Sequence, residues 1–195
     1  MASSDVVPLV ARRVDRRLLV AAAVWWLGMY SLLFGWRGRF SLRAVEVACG
    51  GPAPDTRFAA SPTQTEQFLI GCGAQGLGAY RDLQIADLFY PASTSLVLVL
   101  TLMYLLPRVM PRAAWLTLVP VLAAAGDYAE NACAWVLIAV APSRPSWAAR
   151  ALQIGSAVKF VASWVAWLTV VVLLLLWVAR RLGRAAGRRP RSANS

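Results

Sequence analysis

Long apolar segments alternate with short, arginine-rich segments along most of this chain. Four of the apolar segments reach the roughly 17–25 residues with which an α-helix crosses the hydrocarbon of a bilayer. They occupy residues 18–34, 83–106, 113–141 and 151–179. The pattern predicts an all-α fold, a four-helix transmembrane bundle, with an N-terminal tail at 1–17 and a basic C-terminal tail at 180–195.

The longest polar segment, residues 35–82, separates the first two predicted spans. Its residues 41–49 alternate loosely between apolar and polar positions, and this period predicts a short strand. The order Ser61-Pro62-Thr63-Gln64 predicts a capped helix start with proline at the first position. We therefore expect a short amphipathic helix from Pro62 to Ile70 that ends at Gly71. These elements predict a small extracytoplasmic loop that covers the bundle.

The placement of the arginines decides what the net charge of +11 means. Because the arginines lie at the ends of the predicted spans, they argue against a nucleic-acid partner. Most of them flank the two termini and the loop between spans two and three, so the positive-inside rule assigns these segments to the cytoplasm. We expect a multi-pass plasma-membrane protein in contact with the lipid bilayer, whose basic tail attracts anionic lipid headgroups. The Ala- and Arg-rich, Lys-poor composition favours a bacterial source.

The chain contains no histidine and three cysteines. The lack of histidine excludes His-based acid–base catalysis and nearly all zinc chemistry, and we expect no metal and no cofactor. Cys49 and Cys72 both fall in the predicted outer loop, where the compartment permits a disulfide bond. Cys133 lies in the third predicted span and is interpreted as a small apolar filler.

Four ionisable side chains lie inside the predicted spans, namely Asp87, Asp127, Glu130 and Lys159. A lysine at the centre of a spanning helix costs roughly 2.5–3.5 kcal/mol, so Lys159 is expected to have a partner. At a rise of 1.5 Å per residue, Lys159 should lie about 13 Å below the outer end of its span, close to the depth of Glu130. We therefore predict an ion pair between these two residues. Asn131 shares the helix face of Glu130 and completes the predicted binding cluster.

Three kinds of function fit this cluster. The first is a protein whose buried polar site opens to the outer face and binds or moves a small polar molecule, a proton or a lipid headgroup. The second is a structural or accessory membrane subunit in which the charges hold the helices together. The third is an enzyme acting on a lipid or isoprenoid, with Asp127 or Glu130 as the general acid. Whether the protein is an enzyme stays open here, with the balance against it, and a homodimer or larger membrane complex is compatible with four spans.

Three segments of the chain resemble a pattern of small bacterial four-span membrane proteins. They are Gly76-Leu77-Gly78-Ala79-Tyr80-Arg81, Asp87-Leu88-Phe89-Tyr90-Pro91 and Gly126-Asp127-Tyr128-Ala129-Glu130-Asn131, followed by a lysine in the last span. The resemblance covers roughly residues 40–165. It implies the four-span architecture and carries no activity with it.

Overall fold

The computed structural model describes residues 14–35, 37–140 and 145–186, and within these ranges the chain is helical and contains no strand. The all-α prediction is therefore confirmed. The helices are α1 Arg16–Tyr30, α2 Leu42–Cys49, α3 Pro62–Asp87, α4 Tyr90–Val109, α5 Val119–Ala139 and α6 Ser146–Ala186. Three helical stretches are long and apolar enough to cross a membrane: Arg16–Gly35, Pro62–Val109 and Ser146–Arg184. Residues 1–13 of the predicted N-terminal tail and 187–195 of the predicted C-terminal tail lie outside the described residues.

The first predicted span corresponds to α1 and a π-helical turn, Ser31–Gly35, that continues it. The side chain of Asp15 caps the start of α1 by accepting a hydrogen bond from the backbone N–H of Arg17. α1 packs along α4, where the indole N–H of Trp26 donates to the hydroxyl of Thr94 at 3.2 Å. The helix is thereby fixed to the bundle by a polar contact as well as by apolar packing.

The strand predicted at residues 41–49 is wrong, because this segment forms α2. The hydroxyl of Ser41 accepts a hydrogen bond from the backbone N–H of Ala44 and caps the helix start. Gly50, with φ 71°, ends the helix in the left-handed conformation that glycine adopts without strain. Val45 is completely buried. The loose alternation of apolar residues thus reflects one buried helical face, since residues three apart share a face of a helix.

The predicted helix start at Ser61 is confirmed, including the reciprocal capping box with Gln64. The first helical part of α3 ends at a break at Gly73, where φ is 60°, two residues after the predicted end at Gly71. A second helical part, which was not predicted as a continuation, follows to Asp87. The sulfur atoms of Cys49 and Cys72 lie 2.14 Å apart, at the distance of the predicted disulfide bond. This bond joins the end of α2 to α3 just before the break.

Two of the predicted spans begin differently from the prediction. The span at 83–106 is interrupted, because α3 ends at Asp87 and α4 begins at Tyr90 with Pro91 in its first turn. A proline costs no hydrogen bond in the first turn of a helix, so it starts α4 instead of kinking a longer helix. The first part of the span at 113–141 belongs to a 3₁₀ segment, Pro111–Leu118, and α5 follows it.

Two apolar cores lie at different levels along α6. One contains Ala148, Ala149 and Leu152 of α6 together with side chains of α2, α3 and α5. The other contains Ala166, Val170 and Leu173 of α6 together with side chains of α1 and α4. The stretch of α6 between the two cores carries Ser156 and Lys159. A buried polar level therefore separates the two apolar cores.

Candidate functional site

Lys159 lies at the centre of the polar level and contacts three acceptors. Its Nζ donates to the backbone carbonyl oxygen of Asp55 at 2.9 Å and to Oδ1 of Asp127 at 3.3 Å. It also forms an ion pair with Oε2 of Glu130, which confirms the contact predicted from the sequence. An ammonium group has three N–H donors, so these three acceptors match its full capacity. Lys159 is therefore held in place by the protein itself.

A close approach of α5 and α6 brings these charges together. A Cβ added to Gly126 would lie 2.8 Å from the backbone nitrogen of Lys159. Asp127 and Glu130 follow on the same face of α5, because residues three apart on a helix are neighbours. The small residue at 126 thus allows the backbone contact that places both carboxyl groups within reach of Lys159.

Asp55 is a member of the site that sequence reasoning missed. It lies in a 3₁₀ turn, Pro54–Thr56, in the loop between α2 and α3, and its side chain is buried. Oδ2 accepts a hydrogen bond from Nε2 of Gln84 at 2.6 Å, while Oδ1 has no hydrogen-bond partner among the described residues. The predicted outer loop therefore inserts an acidic side chain among the helices instead of only covering them.

Hydrogen bonds to α6 fasten this loop in its inserted position. The hydroxyl of Ser156 donates to the carbonyl oxygen of Arg57 at 2.9 Å, and Nε2 of Gln153 donates to the carbonyl oxygen of Ala59 at 3.3 Å. Together with the bond from Lys159, these hydrogen bonds join three successive turns of α6 to the loop. No sequence pattern predicts this insertion of Asp55 among the helices, since an aspartate in a Pro- and Gly-rich loop usually faces water.

Burial changes the acidity of Asp55. Removal from water raises the pKa of its carboxyl group to about 6, against an ordinary value of 3.8. The positive charge of Lys159 opposes this rise, and the nearby Asp87 adds to it. Asp55 consequently changes its charge closer to neutral pH than an exposed aspartate does.

A cavity of about 290 Å³ adjoins the charged residues. Asp55, Asp87 and Asp127 line it, and Lys159 lies among them. The rest of the lining is largely apolar and aromatic and includes Phe34, Tyr90, Phe160 and Trp167. The volume is near the lower end of the range of small-molecule sites. The cavity thus combines a charged end with an apolar body.

The residues predicted for the binding cluster take three different positions. Asp127 and Lys159 contact each other and line the cavity. Asp87, half-buried at the end of α3, lines the cavity without belonging to either ion pair of Lys159. Glu130 and Asn131 are fully buried, at 0% and 1% exposure, on the α5 face next to α6. Two of the five predicted residues therefore support the site from within the protein.

Comparison of the chain with protein-family models, with curated proteins and with solved structures finds no match. In the ranges 14–35, 37–140 and 145–186, no group of three His, Cys, Asp or Glu side chains is arranged to hold a metal ion. The cavity lining offers carboxyl groups, one ammonium group and aromatic rings.

Proposed function

We propose that this is a four-span membrane protein whose cavity opens to the outer face and binds a small molecule with a polar head and an apolar body. A lipid headgroup with the first part of its chain has this form. The observation that carries the proposal is the cavity itself, with Asp87, Asp127 and Lys159 at one end and aromatic residues along the rest. Such a mixed lining is typical of ligand sites, in which a few polar groups fix the orientation of a largely apolar molecule.

We assign α5 as the fourth span, between α4 and α6. With 21 residues it rises about 31 Å, which matches a hydrocarbon core of roughly 30 Å. Asp127, Glu130 and Asn131 lower its mean hydropathy, but they are all buried within the protein. A span whose polar groups face the bundle does not need the hydropathy of one that faces lipid.

The arginines at one end of the bundle serve as a reference for the depth of the site in the membrane. Arg180 donates to the carbonyl oxygen of Val109 at 2.9 Å, so this part of α6 lies at the level of the end of α4. Lys159 lies about 31 Å from Arg180 along α6 at 1.5 Å per residue, and Asp87 lies about as far from Arg108 along α3 and α4. If the arginines mark the cytoplasmic boundary, the charged end of the cavity is at the outer boundary. This is shallower than the 13 Å depth expected from the sequence, and it allows access from outside.

One observation favours the structural alternative, an accessory subunit held together by its charges. The three donors of Lys159 are all taken by Asp55, Asp127 and Glu130, as in a salt-bridge network that fixes α5, α6 and the loop. Such a network accounts for Lys159 and Glu130. It does not account for the cavity, or for Asp87, whose carboxyl group lies on the cavity wall outside that network. We therefore assign Lys159 and Glu130 to support and the cavity wall to binding.

Cysteine labelling from the outer face tests the proposal. We would replace the free Cys133 by alanine and compare Ala124→Cys with Ala125→Cys. Ala124 lines the cavity, whereas its neighbour Ala125 is exposed on the outside of α5 at almost the same depth. A membrane-impermeant thiol reagent needs a hydrated thiolate, so it should label the cysteine at 124 and spare the one at 125. Equal labelling, or none at 124, would contradict a water-accessible cavity.

A further inference from the structure

We infer that the charged end of the cavity takes an organic cation, an ammonium group carried by a small amphiphile. This inference rests on the proposed function and names the class of its ligand. It is drawn from the charge of the cavity wall and from the aromatic rings beside it.

The wall carries more carboxyl groups than the protein neutralises. Asp55, Asp87 and Asp127 line the cavity with a single cation, Lys159, and the fully buried Glu130 pairs with the same cation. Nζ of Lys159 already donates to Asp55 and Asp127 and pairs with Glu130, so an anionic headgroup would meet several carboxyl groups and an ammonium group that has partners within the protein. A cationic headgroup would instead complete the pairing. Asp87 is the group best placed for it, since it lies outside both ion pairs.

Aromatic rings add a feature suited to ammonium groups rather than to metal ions. Phe160 and Tyr90 lie on the cavity wall near the carboxyl groups, and Phe34 and Trp167 extend this lining. The faces of aromatic rings attract organic cations, as in the aromatic cages that recognise quaternary ammonium groups. Nζ of Lys159 already lies 5.6 Å from the ring centroid of Phe160, so this ring is within the range of a cation at the site.

The cavity volume suits a ligand with a small head and a short apolar part, since about 290 Å³ is near the lower end of the range of small-molecule sites.

Choline and two isosteres of nearly the same shape test the charge preference in the full-length protein. The neutral isostere is dimethylbutanol, in which carbon replaces the nitrogen, and the anionic one is dimethylbutanoate. We would titrate each probe into protein in non-ionic detergent by calorimetry. We expect choline to bind at least about tenfold more tightly than the neutral isostere and the anion to show no binding. The trimethylammonium group has no N–H donor, but its charge attracts carboxylates and the faces of aromatic rings, which the uncharged carbon analogue does not.

Two variants locate the binding. Asp87→Asn should weaken choline binding about tenfold or more and leave the weak binding of the neutral isostere unchanged. Its matched control is Asp82→Asn, on the same helix, where the carboxyl group forms an exposed ion pair with Arg39 at 2.9 Å and should not affect choline. Phe160→Leu gives a second readout that keeps all charges, and it should also weaken choline more than the isostere.

The outcomes separate the inference from the proposed function. Equal binding of the three probes, tighter binding of the anion, or no binding of choline despite labelling at position 124 overturns the ammonium assignment and leaves the cavity in place. Choline binding that resists both Asp87→Asn and Phe160→Leu overturns it as well, since the cation would then bind elsewhere. Failure of the labelling experiment, in contrast, removes the proposed function itself.

Discussion

Gly126 of α5 and Gly155 of α6 lie against each other with almost no space between their backbones. A Cβ added to Gly126 would lie 3.0 Å from the carbonyl oxygen of Gly155, and a Cβ added to Gly155 would lie 3.0 Å from that of Gly126. Glu130 lies one helical turn after Gly126, and Lys159 lies one turn after Gly155. The close crossing of the two helices therefore sets the distance between the charges of the site.

Gly126→Ala should destabilise the protein by about 1–3 kcal/mol, because the new methyl group meets backbone atoms that cannot rotate away. The same is expected of Gly155→Ala. The measurement is the melting temperature in detergent. Separation of the helices should also lower the reactivity difference between cysteines at 124 and 125.

Gly28→Ala is the matched control for the glycine variants. Gly28 is a helical glycine in α1, and a Cβ there would meet nothing within 4 Å. The change should be neutral or raise the stability by up to about 1 kcal/mol, since alanine favours the helix. A melting temperature for Gly126→Ala that equals that of Gly28→Ala would show that the crossing is looser than described.

The ion pair of Lys159 was predictable from the sequence, because it depends on helix period and depth. Those two rules place Lys159 and Glu130 at one level, and the neighbouring Asp127 follows from the same face. The position of Asp55 was not predictable in this way. Its contacts with Gln84 and Lys159 join a loop residue to helices far along the chain, and local periodicity in the sequence cannot predict such long-range contacts.

The helix boundaries show the same division between local and long-range effects. The capping box at Ser61 and Gln64 is a local signal, and the start of α3 was predicted correctly. At 41–49 the apolar positions fit a strand and a short helix about equally well. The choice of helix depends on the cap at Ser41 and on burial of Val45 against the rest of the fold.

Loss of the disulfide should destabilise the fold around α2 and the first part of α3. Cys49 and Cys72 are 23 residues apart, and closing a loop of that length stabilises a fold by about 3 kcal/mol in the chain-entropy description. We expect Cys49→Ser with Cys72→Ser to lower the melting temperature in detergent, and a reducing agent to have the same effect on the wild type. Cys133→Ala, which removes the free thiol and keeps the bond, is the control and should melt as the wild type does with and without reductant. The variant without Cys49 and Cys72 should be insensitive to reductant. Equal melting of oxidised and reduced wild type would contradict a structural role for the bond.

Asp55 should make the stability of the protein depend on pH in the acidic range. Its folded pKa of about 6 exceeds the ordinary value of 3.8, so the folded protein favours the neutral acid. The resulting stabilisation is fully present below the ordinary pKa and is lost as the pH rises through about 6, because ionisation then occurs in both states. The shift corresponds to on the order of 2–3 kcal/mol.

Asp55→Asn isolates this contribution from that of the other carboxyl groups. The amide stays neutral and can still accept the hydrogen bond from Gln84. The difference in melting temperature between the variant and the wild type should therefore grow in favour of the variant as the pH is raised from 4 to 7. A difference that is constant over this range would show that Asp55 titrates as an exposed aspartate does.

The stability losses caused by mutating Lys159 and Glu130 should be strongly coupled. Removal of either residue leaves the other one buried without its charge partner. Lys159→Met exposes two carboxyl groups to an apolar environment without compensation, and we expect a loss of about 3–5 kcal/mol. Glu130→Gln should cost less, since Asp127 and the carbonyl oxygen of Asp55 still bind the ammonium group.

In the double variant the loss should fall short of the sum of the single losses by about 1–3 kcal/mol. The exposed pair Arg39 and Asp82 is the control, where the coupling should stay below about 1 kcal/mol. Additive losses at Lys159 and Glu130 would contradict the network, whereas a double variant as stable as the wild type would mean that the two charges are a net cost to the fold and are retained for the cavity beside them.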